Sequence, residues 1–121
     1  MSHLPHDHGH QSAEICEHMP SAPNFEAAGK MLHTLGESNR IRLFWILCHC
    51  EECVINLSAM MEMSSPALSH HLKLLKEAGL IVSRRKGKEV YYSASRTEAV
   101  RFLHQSIESL MEITCPKGEA K

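Results

Sequence analysis

Residues 64–93, SSPALSHHLKLLKEAGLIVSRRKGKEVYYS, decide the fold. Ser64 or Ser65 can cap a helix here, and Pro66 suits its first turn, where the missing N–H would have had no helical partner. Leu68, Leu72 and Leu75 recur at helical spacing and make one apolar face. The opposite face carries Ser65, Ser69, His70, Lys73 and Lys76, whose hydroxyl, imidazole and ammonium groups can reach base edges and phosphates. Gly79 ends the helix. The pattern then predicts two short strands, residues 81–85 and 89–93, around Lys86-Gly87-Lys88, so the turn gathers Arg84, Arg85, Lys86 and Lys88. A polar helix face followed by a basic hairpin is the physical make-up of a winged helix-turn-helix that reads DNA.

Working outward, three more helices are predicted upstream. Phe25, Ala28, Met31, Leu32 and Leu35 share one face as far as Gly36. Ile41, Phe44, Trp45 and Leu47 punctuate residues 38–47, and Leu57 with Met60 or Met61 marks residues 54–61. Downstream, Val100, Leu103, Ile107 and Leu110 follow a three-four rhythm between about Ser95 and Pro116. Their apolar seam faces either the core or a second copy of the chain. The expected fold is mainly α with one small β-hairpin: four helices, the hairpin and a last helix, assembled as a dimer. Residues 23–116 would form the DNA-binding and dimerisation domain, with its homodimer contact through the first and last helices. A flexible His- and Cys-containing tail, 1–22, precedes it, and a short tail, 117–121, closes the chain.

At 121 residues the chain is one domain. Chains of this size bury only about two-thirds of their unfolded surface, so a second protomer would add stability. No apolar run approaches the roughly 18 residues of a membrane span, so no membrane partner is expected. The opening MSHLPHDHGH lacks the apolar core of a signal peptide, which leads us to expect a cytoplasmic protein. The net charge is −1, but its distribution is uneven. Residues 64–101 carry eight Lys or Arg against three acids, whereas the rest carries five against eleven. Positive charge is thus concentrated on the expected DNA reader. No nucleophile–base–acid arrangement and no phosphate-cradling glycine loop is present, so neither an enzyme nor a small-molecule substrate is expected.

Cysteine and histidine are the remaining anomaly. Five cysteines, Cys16, Cys48, Cys50, Cys53 and Cys115, are odd in number and poor material for a disulfide framework in a reducing compartment. Ten histidines accompany them. The run LCHCEEC, residues 47–53, sits where one helix ends and the next begins, and Cys48, Cys50 and Cys53 could converge three thiolates on one ion. Thiolates favour zinc, cadmium, lead or trivalent arsenic over hard ions. Cys16, with His18, could complete such a cluster from the tail. A second ligand set, His104, Glu108, Glu112 and Cys115, lies along one stripe of the last helix. The bland alternatives are small buried cysteines and solvated acids.

The order of elements and four motifs resemble the ArsR/SmtB family of metal-responsive winged-helix repressors. The motifs are NRIRLFWIL (39–47), ECVINL (52–57), SSPALSHHLKLLKEAGLI (64–81) and SRRKGKEVYYS (83–93). The resemblance implies a dimer that sits on double-stranded operator DNA, blocks transcription and is loosened by an inducer. It places Ser65, Ser69, His70 and His71 on the reading helix, with Ser64 and Lys73 beside them, and Arg85, Lys86 and Lys88 on the wing, with Arg84. Relatives that sense soft metals carry ELCVCDL where this chain has ECVINL. Cys53 matches the first cysteine, but Ile55 replaces the second and Asn56 the acid. The zinc site that relatives build on the last helix maps to Arg96, Glu98, Ser109 and Glu112, of which only the two acids can ligate. Glu98 also fits a capping box with Ser95.

The chain is therefore expected to be a repressor that leaves its operator on binding zinc, cadmium, lead or an arsenite-type inducer. A thiol redox-sensing repressor of the same fold is the alternative, although Glu51 and Glu52 would raise rather than lower nearby thiol pKa values. A metal storage or delivery protein is a further alternative, in which the basic wing would have no purpose.

Overall fold

The computed structural model describes residues 4–113. In chain order they form α1 (His10–Glu17), α2 (Ala22–Thr34), α3 (Ser38–His49), β1 (Glu52–Cys53), α4 (Val54–Met61), α5 (Ser65–Glu77), β2 (Ile81–Lys86), β3 (Glu89–Ala94) and α6 (Glu98–Met111). The winged helix-turn-helix is there: α4 and α5 pack as the helix pair, and β2 and β3 form the wing. None of the described helices is long and apolar enough to cross a membrane.

The core is built where the periodicity put it. Leu43, Phe44 and Leu47 of α3 meet Leu57 and Met61 of α4, Leu68, Leu72 and Leu75 of α5, then Leu80, Ile81, Val100 and Ile107, all buried in one cluster. The apolar face of α5 is therefore the floor on which its polar face is presented.

Local chemistry sets the ends of α5. Ser64 is the cap, its hydroxyl accepting from the Ala67 N–H at 3.3 Å, with Pro66 in the first turn. At the other end Gly79 adopts φ +79°, a left-handed conformation that a side chain would strain. The Leu80 N–H then closes onto the Leu75 carbonyl at 3.0 Å and the chain turns directly into β2.

Three features depart from expectation. Helix α6 is capped by Thr97, whose hydroxyl accepts from the Val100 N–H at 3.1 Å, so the capping box of Ser95 and Glu98 does not form. Ser95 instead donates to the Gly79 carbonyl at 2.9 Å, pinning the start of α6 to the end of α5. A third strand, β1, joins the hairpin in the order β1-β3-β2, with Glu52 opposite Tyr92 and Cys53 opposite Tyr91. Two residues are too few to show alternation, so only the tertiary pairing reveals it. Finally, the stretch 1–22, expected to be flexible, contains the two-turn α1. Ala13, Glu14 and Glu17 favour a helix, and the Asp7 carboxylate accepts from the Gly9 N–H at its start. None of its residues is fully buried. The tail 117–121 lies outside the described residues.

Candidate nucleic-acid interface and metal centre

Helix geometry sorts the expected DNA-reading residues into two groups. Ser69, His70 and Lys73 are exposed on the face of α5 opposite its leucines, and Arg85, Lys86 and Lys88 are exposed on the wing. The others are exposed or half-buried but also engaged within the protein. Ser64 caps α5, and the Ser65 hydroxyl lies 3.3 Å from that of Ser58 on α4. Arg84 forms a two-pronged ion pair with Glu51, at 2.6 and 2.7 Å, which ties β2 to the junction between α3 and β1. Lys86 and Arg84 lie over the Tyr91 ring, 5.8 and 6.0 Å from its centre.

The Arg84 hydrogen bonds hold the Glu51 carboxyl below its ordinary 4.5. The folded state thus binds this proton less readily than the unfolded chain. The pair's contribution to seating the wing is full above pH 4.5 and is lost as pH falls through the lowered value.

His71 is half-buried, and its Nδ1 accepts from the Arg40 guanidinium at 3.4 Å; that guanidinium also donates to the Thr34 carbonyl at 2.6 Å. Burial is the main reason its pKa falls below 6.5, with Arg40 and His70 adding to the effect and Glu37 opposing it. Because the folded pKa is lowered, the ring is neutral at pH 7, and stability declines as pH drops below about 6.5. An NMR titration of the His71 ring protons is expected to give a midpoint below 6.5. A midpoint at or above that value would mean that the ring is solvated or acid-paired.

The expected thiolate centre does not form among the described residues. Cys48 packs half-buried against the core, Cys50 is exposed with its thiol donating to the Ile46 carbonyl, and Cys53 is buried at the head of α4. Consecutive helix residues point about 100° apart, so adjacency in LCHC does not become convergence. Cys16, half-buried on α1, joins no such cluster either, and Cys115 lies outside the described residues.

The ligand atoms that converge are those of His49, His104 and Glu108, all within 4.8 Å of one another. His104 Nε2 lies 3.1 Å from His49 Nε2 and 3.0 Å from Glu108 Oε2, and His49 Nε2 is 3.6 Å from the same oxygen. The Trp45 indole N–H donates to Glu108 Oε2 at 2.9 Å. The Trp45 ring sits 4.3 Å from that of His49, and the His49 and His104 rings meet edge-on at 4.8 Å. Their side chains are largely shielded: 6% exposed for His49, 10% for Glu108 and 18% for His104. His104 and Glu108 are the pair expected from a shared stripe on the last helix, whereas Glu112 falls out of it. Helix α6 ends at Met111, and Glu112 turns left-handed at φ 59° into solvent. His49 is the member of this cluster that the expected ligand sets leave out, hidden among cysteines that carry the more conspicuous thiolate chemistry. The usable signal is the four-residue step from Trp45 to His49, matching the step from His104 to Glu108.

Comparison with known proteins bears on the whole arrangement. A family model described as "Bacterial regulatory protein, arsR family" matches residues 37–83, from the cap of α3 into the wing. The HTH-type transcriptional repressor SmtB of Mycobacterium tuberculosis is 34% identical over 90 residues, covering 72% of this chain and 67% of that protein. A cadmium resistance transcriptional regulatory protein, a CadC homolog of Staphylococcus aureus, is 34% identical over 82 residues, 63% of this chain and 68% of its own. Among solved structures, HlyU from Vibrio cholerae superposes with a TM-score of 0.69 at 28% identity, over 74% of this chain and 97% of its own. A reading helix seated on a leucine floor, a basic wing beside it and relatives of this likeness lead to one conclusion: the chain belongs to the ArsR/SmtB family of winged helix-turn-helix, DNA-binding transcriptional regulators.

Proposed function

We propose that the protein is a homodimeric transcriptional repressor whose grip on operator DNA is relieved by a metal ion. The observation that carries this reading is the exposed set Ser69, His70 and Lys73 on α5 beside Arg85, Lys86 and Lys88 on the wing. Side chains of the first kind can read base edges in a major groove, and those of the second hold phosphates. Dimerisation is supported by apolar side chains left exposed on a single protomer: Phe25 and Leu32 on α2, and Phe102, Leu110 and Met111 on α6. A second copy covering α2 and α6 would bury them and place two reading helices for two operator half-sites.

A metal inducer is supported by the cadmium resistance function in the name of one relative and by the convergence of His49, His104 and Glu108. Zinc and cadmium are the inducers we expect first. Lead and trivalent arsenic would need the thiolates to be drawn together. Fluorescence anisotropy of labelled promoter duplex is the direct test. Addition of zinc or cadmium to the reduced protein is expected to weaken binding by about 5- to 150-fold, the usual range of coupling between two sites. Operator affinity that stays constant across zinc, cadmium, lead and arsenite would sink metal control and leave DNA binding in place.

A further inference from the structure

We propose that His49, His104 and Glu108 bind one zinc-class divalent ion within a single protomer, joining the last turn of α3 to the middle of α6. Its regulatory meaning, though not the binding itself, rests on the repressor function proposed for the protein.

The first support is geometric. Nitrogen and oxygen ligands hold zinc at about 2.0–2.2 Å, so neighbouring corners of a tetrahedron around it lie about 3.3 Å apart. The three ligand atoms here are separated by 3.0, 3.1 and 3.6 Å. Little movement is needed to close them on one ion.

The second is the surrounding shell. Ligand carboxylates are commonly fixed by an outer hydrogen bond, and the Trp45 indole supplies one to Glu108 Oε2 at 2.9 Å. His49 and His104 also line a cleft of about 690 Å³ between the end of α3, the sheet and the start of α6. That cleft, which Arg96 and Arg101 also line, gives an ion a way in.

Two imidazoles and one carboxylate suit zinc or cobalt, and are a poor set for lead or trivalent arsenic, which prefer thiolates. The site is distinct from the four last-helix positions Arg96, Glu98, Ser109 and Glu112. It links the helix carrying Phe102 and Leu110, exposed for a partner, to α3, which packs directly on the reading helix α5.

Trp45, the one tryptophan of the chain, is a built-in reporter. Cobalt(II) would be titrated into the reduced, full-length protein while Trp45 emission and visible absorption are followed. One equivalent is expected to quench the emission and produce tetrahedral cobalt bands. Both should persist in a Cys48→Ser/Cys50→Ser/Cys53→Ser protein. In His104→Gln and in the near-isosteric Glu108→Gln the apparent affinity should fall roughly tenfold or more, with far-UV circular dichroism unchanged. Glu108→Gln keeps an acceptor for Trp45 and stays informative should His104→Gln fail to fold. Absence of quenching, quenching indifferent to Glu108→Gln, or loss of both signals in the serine variant would overturn the site. Operator binding in the same solutions separates the two ideas: specific quenching with metal-independent operator affinity upholds the site and removes metal control.

Discussion

Arg85→Ala combined with Lys86→Ala is expected to weaken operator binding by roughly one to two orders of magnitude near 0.1 M salt. The slope of log affinity against log salt should flatten by about 1.8, because each lost phosphate contact removes about 0.9. Both side chains are exposed at the tip of β2, immediately before Gly87, whose φ of +66° makes the tight turn. Neither holds the core, so the melting temperature should barely move. Arg84→Ala is the instructive contrast. Its guanidinium already has Glu51 as a two-pronged partner, so the protein should lose less affinity than its charge alone suggests. Because phosphates carry no sequence information, a random duplex should suffer as much as the operator. Anisotropy titrations between about 50 and 300 mM salt on both duplexes check this. Weakened binding with an unchanged slope would mean that the wing does not touch the backbone.

Legibility in the sequence varies with how local the deciding physics is. The reading helix and wing are legible because Ser64, Pro66, the leucine spacing, Gly79 and Gly87 all point to one structure, each through a short-range effect. Strand β1 is not, since Glu52 and Cys53 become a strand only by pairing with Tyr92 and Tyr91 some forty residues away. His70 and His71 are neighbours in the sequence, yet one is exposed and the other turned onto Arg40, because α5 packs against α3. The His49–His104–Glu108 cluster is half visible. His104 and Glu108 share a helix face by simple counting, but His49 reaches them only through the crossing of α3 and α6. Crowding of cysteines in the sequence does not by itself bring thiols together, since helical geometry spreads neighbours around the axis.

Phe44→Ala is expected to cost about 3–5 kcal/mol of folding stability, near the upper end for any single substitution. Phe44 is fully buried, in the cluster that also holds Leu57, Leu68 and Leu72. Removing the ring leaves a cavity that this floor, shared by α3, α4 and α5, cannot easily fill. Domains of this size are stable by only about 5–15 kcal/mol, so roughly a fifth or more of the total would go. The melting midpoint should fall by roughly 12–20 °C at fixed protomer concentration, which must be controlled because a dimer's stability depends on it. Phe44→Leu, which keeps most of the volume, should lose far less. Operator affinity should also suffer in the alanine protein, since the leucines that seat the reading helix line the same cavity. The salt slope should stay that of the parent, because every phosphate-contacting side chain is still present. The two substitutions therefore dissociate cleanly: the wing variant changes the slope and keeps the melting point, and the core variant does the reverse. A Phe44→Ala protein that melts with the parent would mean that the ring does not sit in a packed core.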